Sequence, residues 1–211
     1  MAKSWRNHAD AYRVQTRENI LVATKELILK KGITEVTILD ISKKSGISRV
    51  TFYKHFNSIH EIAMEIQIQI LSEISAIELP KTMKYKNGAD KLRCLLLGFA
   101  EYFKEHREDL RFIAIFDLAY VNEYPSEELK QKYAEEISSF KTPIVDVLNS
   151  GIQDGSLQVD QDPKLVGRTI AHSLLGLVQR LATRTNLVEA PSTDEDILED
   201  FISMIVKSIS K

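Results

Sequence analysis

A single cysteine, Cys94, stands among 211 residues. One thiol can neither close an intramolecular disulfide nor build a cysteine-rich metal cluster. Glycine and proline number only eight and five, so few positions are built to interrupt a helix. No apolar run approaches the roughly 20 residues a membrane-crossing helix needs. The opening MAKSWRNHAD lacks the apolar block of a secretory signal. His8, His55, His60, His106 and His172 fall into no metal-binding spacing such as H-E-x-x-H, and no glycine-rich phosphate loop is present. Carboxylate pairs such as Glu127-Glu128 and Glu135-Glu136 are what any solvated helix face carries. The expectation is a cytoplasmic protein with no catalytic residues, no metal and no cofactor. What remains is ordinary globular material, 44% hydrophobic and 27% charged.

Nearly every segment repeats its apolar residues with the helical period, and none sustains the alternation of a strand. The pattern predicts a first long helix from Thr16 to Lys31, with Ile20, Ala23, Thr24, Leu27 and Ile28 on one stripe and Gly32 as its stop. Ser58 and Glu61 read as a capping box opening a helix whose Ile62, Ile66, Ile70 and Ile74 recur until Pro80. After a break at PKTMKYKNG, helices are expected over 89–106, 108–120, 126–152, 163–185 and 194–210, with a kink or break near Phe140 because Pro143 lies inside the third. The fold class is therefore all-α.

Within this pattern the run TILDISKKSGISRVTFYKHF, from Thr37 to Phe56, carries the most chemistry. Thr37 and Asp40 have capping-box spacing, so a short helix over Ile38–Ser45 is expected. Gly46 then stops it, because glycine enters the left-handed backbone region without steric cost. Ser48 can cap a second helix from Arg49 to His55, where Phe52 and Phe56, four apart, share the buried face. That leaves Arg49, Val50, Thr51, Tyr53 and Lys54 pointing outward. A helix, a tight turn and a second helix bearing basic and hydrogen-bonding side chains have the geometry that fits a DNA major groove. A capped helical hairpin with a glycine turn also occurs in proteins that never meet nucleic acid.

The charge distribution bears on that choice. Net charge is −2, yet residues 1–57 hold 11 basic and five acidic side chains, net +6, against 17 basic and 25 acidic, net −8, over 58–211. The first part would be drawn to phosphate and the second repelled. The division expected is 1–57, an N-terminal arm and three-helix DNA-binding domain, and 58–211, a larger helical domain. In the arm, Lys3, Trp5, Arg6 and Arg13 precede the first strong helical pattern and could follow a minor groove as basic arms do; the alternatives are a disordered arm or packing of Trp5 on the first helix.

From Arg17 to Ile62 the sequence resembles the N-terminal domain of TetR-type transcriptional regulators. The matching residues, in order and without a gap, are Ile20, Leu21, Leu27, Gly32, Thr37, Ile41, Gly46, Ile47, Ser48, Tyr53, His55, Phe56 and Ile62. Ser42 stands where the family usually has Ala, Val50 where a small residue or Pro is common, and Ile59 where a phosphate-contacting Lys is usual. On this reading Arg49 suits guanine, Val50 and the Thr51 methyl suit thymine, and Thr37, Ser48, Tyr53, Lys54 and His55 hold phosphates, with Lys43 and Lys44 adding charge.

The resemblance also implies an inducer site in the second domain and a homodimer on a palindromic operator. Phe99, Tyr102, Phe103, Phe112, Phe116 and Tyr120 are the candidates for lining the inducer site, although aromatics at helical spacing are commonly plain core. Glu101 and Asp117 lie among them and could pair with a cationic, otherwise hydrophobic ligand, or sit on solvated faces. The last two helices, bearing Leu165, Val166, Ile170, Leu174, Leu177, Val178 and Leu181, then Ile197, Leu198, Phe201, Ile202, Ile205 and Val206, would by resemblance form the dimer contact. The competing expectation is a helical ligand-binding or adaptor protein that has lost operator binding, which Ile59 favours and Arg49, Tyr53, Lys54 and His55 oppose.

Overall fold

The computed structural model describes residues 2–76, 84–121, 124–139, 143–183 and 192–211, with the side chains of 2–9, 138 and 139 left aside. Ten helices run through the described residues: α1 Ala2–Lys31, α2 Ile38–Ser45, α3 Arg49–Tyr53, α4 Ile59–Ala76, α5 Gly88–Glu105, α6 Arg107–Ala119, α7 Glu127–Ser139, α8 Pro143–Asp154, α9 Pro163–Thr183 and α10 Asp194–Ile209. The all-helical expectation holds, and two of its details change.

The stretch expected as an arm is helical from Ala2 onward. Nothing between Ala2 and Gln15 is Gly or Pro, so once a helix exists each added residue costs little. Thr16, expected at the helix start, is instead an interior residue, buried and donating its hydroxyl to the Tyr12 carbonyl at 2.8 Å. The side chains of Lys3, Trp5 and Arg6 lie outside the described residues. The recognition-type helix α3 stops at Tyr53, two residues short of His55. There Lys54 N–H and His55 N–H bond three residues back, to Thr51 O at 3.1 Å and Phe52 O at 2.9 Å, the tighter spacing with which helices commonly end. Finally, of the kink or break expected within 126–152 the structure has the break: α7 and α8 are separate helices, and Pro143 is the first residue of α8, where its missing N–H costs nothing. The kink position near Phe140, the stop at Pro80 and the helix end at Thr185 lie outside the described residues.

Packing divides the chain into two compact units, Met1–Gln69 with Phe112–Ile137, and Ile70–Arg111 with Ser138–Lys211. The first unit reaches beyond the division expected at residues 57 and 58, taking in 58–69 and Phe112–Ile137 as well. In the first unit α1 packs on α2 and α2 on α3. Its buried side chains include Ile20, Ile28, Ile41, Phe52, Phe56, Ile62 and Ile66. Fully burying a side chain of this size contributes roughly 1.5–3 kcal/mol each, which is what fixes a five-residue α3 that could not persist alone.

In the second unit α5 packs against α8 and α10, and α9 against α8 and α10. The α5–α8 contact is close enough that a Cβ on Gly88 would lie 2.1 Å from the Gly151 Cα. Arg107 donates to the buried Asp194 carboxylate at 2.6 Å and to the Leu181 carbonyl at 2.5 Å, joining α6 to α9 and α10. The chain end is fastened by a bridge between Leu157 and Ser210. No described helix is long and apolar enough to cross a membrane.

Candidate nucleic-acid interface and ligand-side residues

The hairpin is built by its caps. Thr37 N–H donates to the Asp40 carboxylate at 3.0 Å, and Asp40 N–H returns a bond to the Thr37 hydroxyl at 3.2 Å. Lys31, at the end of α1, also reaches Asp40 at 2.8 Å. Hydrogen bonds from Lys31, then from the Thr37 side chain and backbone, hold the Asp40 carboxyl down at about 2. Gly46 ends α2 with φ +70. The chain turns there, with Ile47 N–H donating to Ser42 O at 3.0 Å, and Ile47 itself is half-buried rather than fully in the core. Ser48 then caps α3, accepting from Thr51 N–H at 3.0 Å.

One face of α3 and its C-terminal turn is anchored and the other is bare. Phe52 and Phe56 are buried with ring centroids 6.4 Å apart. Val50 is 69% and Tyr53 57% exposed, and Arg49 and Lys54 are exposed beside them. An exposed Val and Tyr on a helix otherwise locked into a core leave an apolar and a hydrogen-bonding surface free for a partner. Thr51 and His55 are half-buried, while Ser48, Thr37, Lys43 and Lys44 are exposed. All ten candidates are thus on or beside the hairpin, but they are not equally free. Lys44 pairs with Glu26 at 2.5 Å, the Thr37 hydroxyl bonds Asp40 at 2.6 Å, and the hydroxyls of Ser48 and Thr51 share a hydrogen bond of 3.0 Å. His55 is held below its ordinary pKa, first by burial and then by Arg13, Arg17 and Lys54, so its ring is uncharged at neutral pH.

The comparison with known proteins decides what this hairpin belongs to. The family model described as "Bacterial regulatory proteins, tetR family" matches residues 20–66, a span that takes in α2, the Gly46 turn and α3. This chain carries the N-terminal domain of the TetR family over residues 20–66. It is thereby a DNA-binding transcriptional regulator, from a family of regulators rather than enzymes. Among relatives, the HTH-type transcriptional regulator YvkB of Bacillus subtilis is 25% identical over 203 residues, covering 92% of this chain and 97% of that protein. The HTH-type transcriptional regulator AlkX of Mycobacterium tuberculosis is 25% identical over 108 residues, 51% of this chain and only 50% of that protein. The fold is that of AibR, solved in complex with isovaleryl coenzyme A and operator DNA, with a TM-score of 0.66 at 14% identity over 90% of this chain and 97% of that one.

The six aromatic candidates fall into both packing units. Phe99, Tyr102 and Phe103 are in the second, where the buried Tyr102 hydroxyl donates to Asp109 at 2.9 Å and its ring stacks on His106 at 4.4 Å. Phe103 is fully buried with the Arg107 guanidinium over its ring at 5.1 Å, and Phe99 is half-buried. Phe112, Phe116 and Tyr120 are buried in the first unit. Glu101 and Asp117 occupy exposed positions.

Around Phe116 and Tyr120 the fold gathers residues that the aromatic spacing did not single out. Tyr120 stacks on Tyr124 at 5.4 Å, and Phe116 lies 5.3 Å from Tyr133. His60 Nδ1 and the Tyr120 hydroxyl share a hydrogen bond of 2.8 Å. Tyr133 bonds the Gln67 side chain, and Gln67, buried, has no partner for its Oε1 among the described residues. Burial pushes the Tyr120 and Tyr133 hydroxyls up and the His60 imidazole down, so all three are neutral at pH 7. A signal existed in the sequence: His60 and Gln67 are seven apart, one helical stripe with Ala63 and Ile70, and interrupt an otherwise apolar face. Beside this group, Glu61, Met64, Glu65, Ile68, Leu129, Lys132, Tyr133 and Glu136 line a cleft of about 220 Å³.

Proposed function

We propose that this TetR-family regulator acts in the cytoplasm as a homodimeric repressor of a palindromic operator, released when a small hydrophobic ligand binds. The observation that carries the reading is α3 itself. Arg49, Val50 and Tyr53 stand exposed on a helix whose position is fixed by buried Phe52 and Phe56. Arg49, Val50 and Thr51 address bases, while Ser48, Tyr53, Lys54 and His55 hold phosphates, with Thr37, Lys43 and Lys44 flanking them. The net +6 of residues 1–57 supports approach to a polyanion.

The ligand is assigned to Phe112, Phe116 and Tyr120 with their tyrosine neighbours, where an apolar wall meets the polar groups of His60 and Gln67. Acyl-CoA thioesters are the first class to assay, since AibR was solved with isovaleryl coenzyme A. The dimer contact is assigned to α9 and α10. The experiment that tests the whole reading is selection of bound fragments from a random DNA pool. An inverted repeat is expected, with half-sites about one helical turn or a multiple apart. Recovery of no sequence preference would refute it.

A further inference from the structure

We propose that Arg17 is a positioning residue for operator reading, a clamp that holds the chain leaving α3 against α4. Its guanidinium is spent in three directions. It pairs with Glu65 of α4, donates to the His55 carbonyl at 3.3 Å, and lies over the Phe56 ring at 4.1 Å from its centroid. His55 and Phe56 form the turn that ends α3, so one side chain of α1 ties that turn to a helix whose first residue is Ile59. Only a planar, multi-donor cation satisfies all three partners, since lysine has no flat face to stack and no fork of donors.

Both ends of the clamp are built for it. Glu65 is half-buried and burial is the first cause raising its carboxyl pKa, with Arg17 the largest influence holding it down. Losing Arg17 would strand that carboxylate, which is why the contact has a definite geometry rather than a loose one. At the other end Phe56 is 1% exposed, so its ring cannot shift to follow a different cation. Operator affinity depends on where α3 points, and a rigid tie between its end and α4 sets that direction. The inference rests on the DNA-reading role proposed for α3.

Three variants of the full-length protein test it: Arg17→Ala, Arg17→Lys and Glu65→Gln. Each is titrated with the operator that the wild type selects from a random pool, well below its melting temperature and at several salt concentrations. All three are expected to weaken binding on the order of tenfold, equally across operator variants, with the salt slope unchanged because no phosphate contact is lost. Were Arg17 a phosphate ligand, Arg17→Ala would lower the slope by about one and Glu65→Gln would leave affinity unchanged or raise it, overturning the proposal. Wild-type affinity in folded Arg17→Ala, or in Arg17→Lys, would overturn it as well. Hydrogen exchange of the 52–58 backbone in the free protein separates the clamp from the DNA reading. Faster exchange in Arg17→Ala and Glu65→Gln is expected, and an unchanged rate would refute the clamp even if the wild type selected no operator.

Discussion

Arg49 and Lys54 bracket the same short helix, yet their losses should look different. Arg49 has the two-pronged geometry that reads guanine. Arg49→Ala is expected to cost about 1–3 kcal/mol at one operator position and to relax sequence choice there. Lys54→Ala should weaken every sequence alike and reduce the salt slope by about one. Binding titrations against single-base operator variants at several salt concentrations check both, and unequal losses for Lys54→Ala would mean the roles are exchanged. Ser42 offers a prediction of opposite sign. It is 4% exposed in α2, and its hydroxyl has no hydrogen-bond partner among the described residues. Replacing a buried unsatisfied hydroxyl by hydrogen relieves a desolvation cost, and alanine is the better helix former. Ser42→Ala should therefore stabilise the protein by about 1 kcal/mol, or about 2–4 °C in Tm for a chain of this size. A lower Tm would show that the hydroxyl has a stabilising partner.

The element whose stability answers most directly to pH is α2. Asp40 serves as the third residue of its capping box and as the partner of Lys31, and its carboxyl is held at about 2. A carboxyl depressed in the folded state contributes stability above its unfolded pKa and loses it as pH falls through the folded one. The contribution should be complete above about pH 4 and fade towards pH 2. Asp40→Asn keeps the shape but not the charge, so the difference in Tm between wild type and variant should shrink over that window. A constant difference from pH 5 to 2 would place the stabilisation elsewhere. The boundaries of α2 were legible because their cause is local: a capping residue, its partner three along, and a glycine. Those of α3 were less so, since its last turn is drawn in by Phe52 and Phe56, whose partners are distant in sequence.

The proposed dimer contact belongs to the scale of the whole molecule. Ile170, Leu174, Val178 and Leu181 of α9 and Leu198, Ile202 and Val206 of α10 are buried within the chain. Leu165 and Met204 stay 54% and 56% exposed, and Val166, Leu177, Phe201 and Ile205 are half-buried. Two glycines that look alike in sequence also part company. A Cβ on Gly167 would meet Val145 at 2.8 Å, while one on Gly176 would meet nothing within 4 Å. The first serves packing within the chain, and the second leaves room for close approach by another helix. Gly176→Arg should accordingly retain the helical circular dichroism of the wild type while light scattering at micromolar concentration shows the mass falling from two chains to one. A wild-type monomer, or an unaltered dimer in the variant, would remove α9 from the interface.

The sequence alone determined that the chain is helical, where the hairpin turns, and the family resemblance, because caps, glycine backbone freedom and apolar period act over a few residues, whereas Thr51, expected to face outward, is half-buried. It also marked the six aromatics as a set. Only the tertiary structure decided that Phe99, Tyr102 and Phe103 pack in one unit and Phe112, Phe116 and Tyr120 in the other. It alone brought His60 to Tyr120 and Arg17 to the end of α3, contacts spanning 60 and 38 residues. Such pairings carry no local pattern, since they are fixed by how buried faces satisfy one another across the fold.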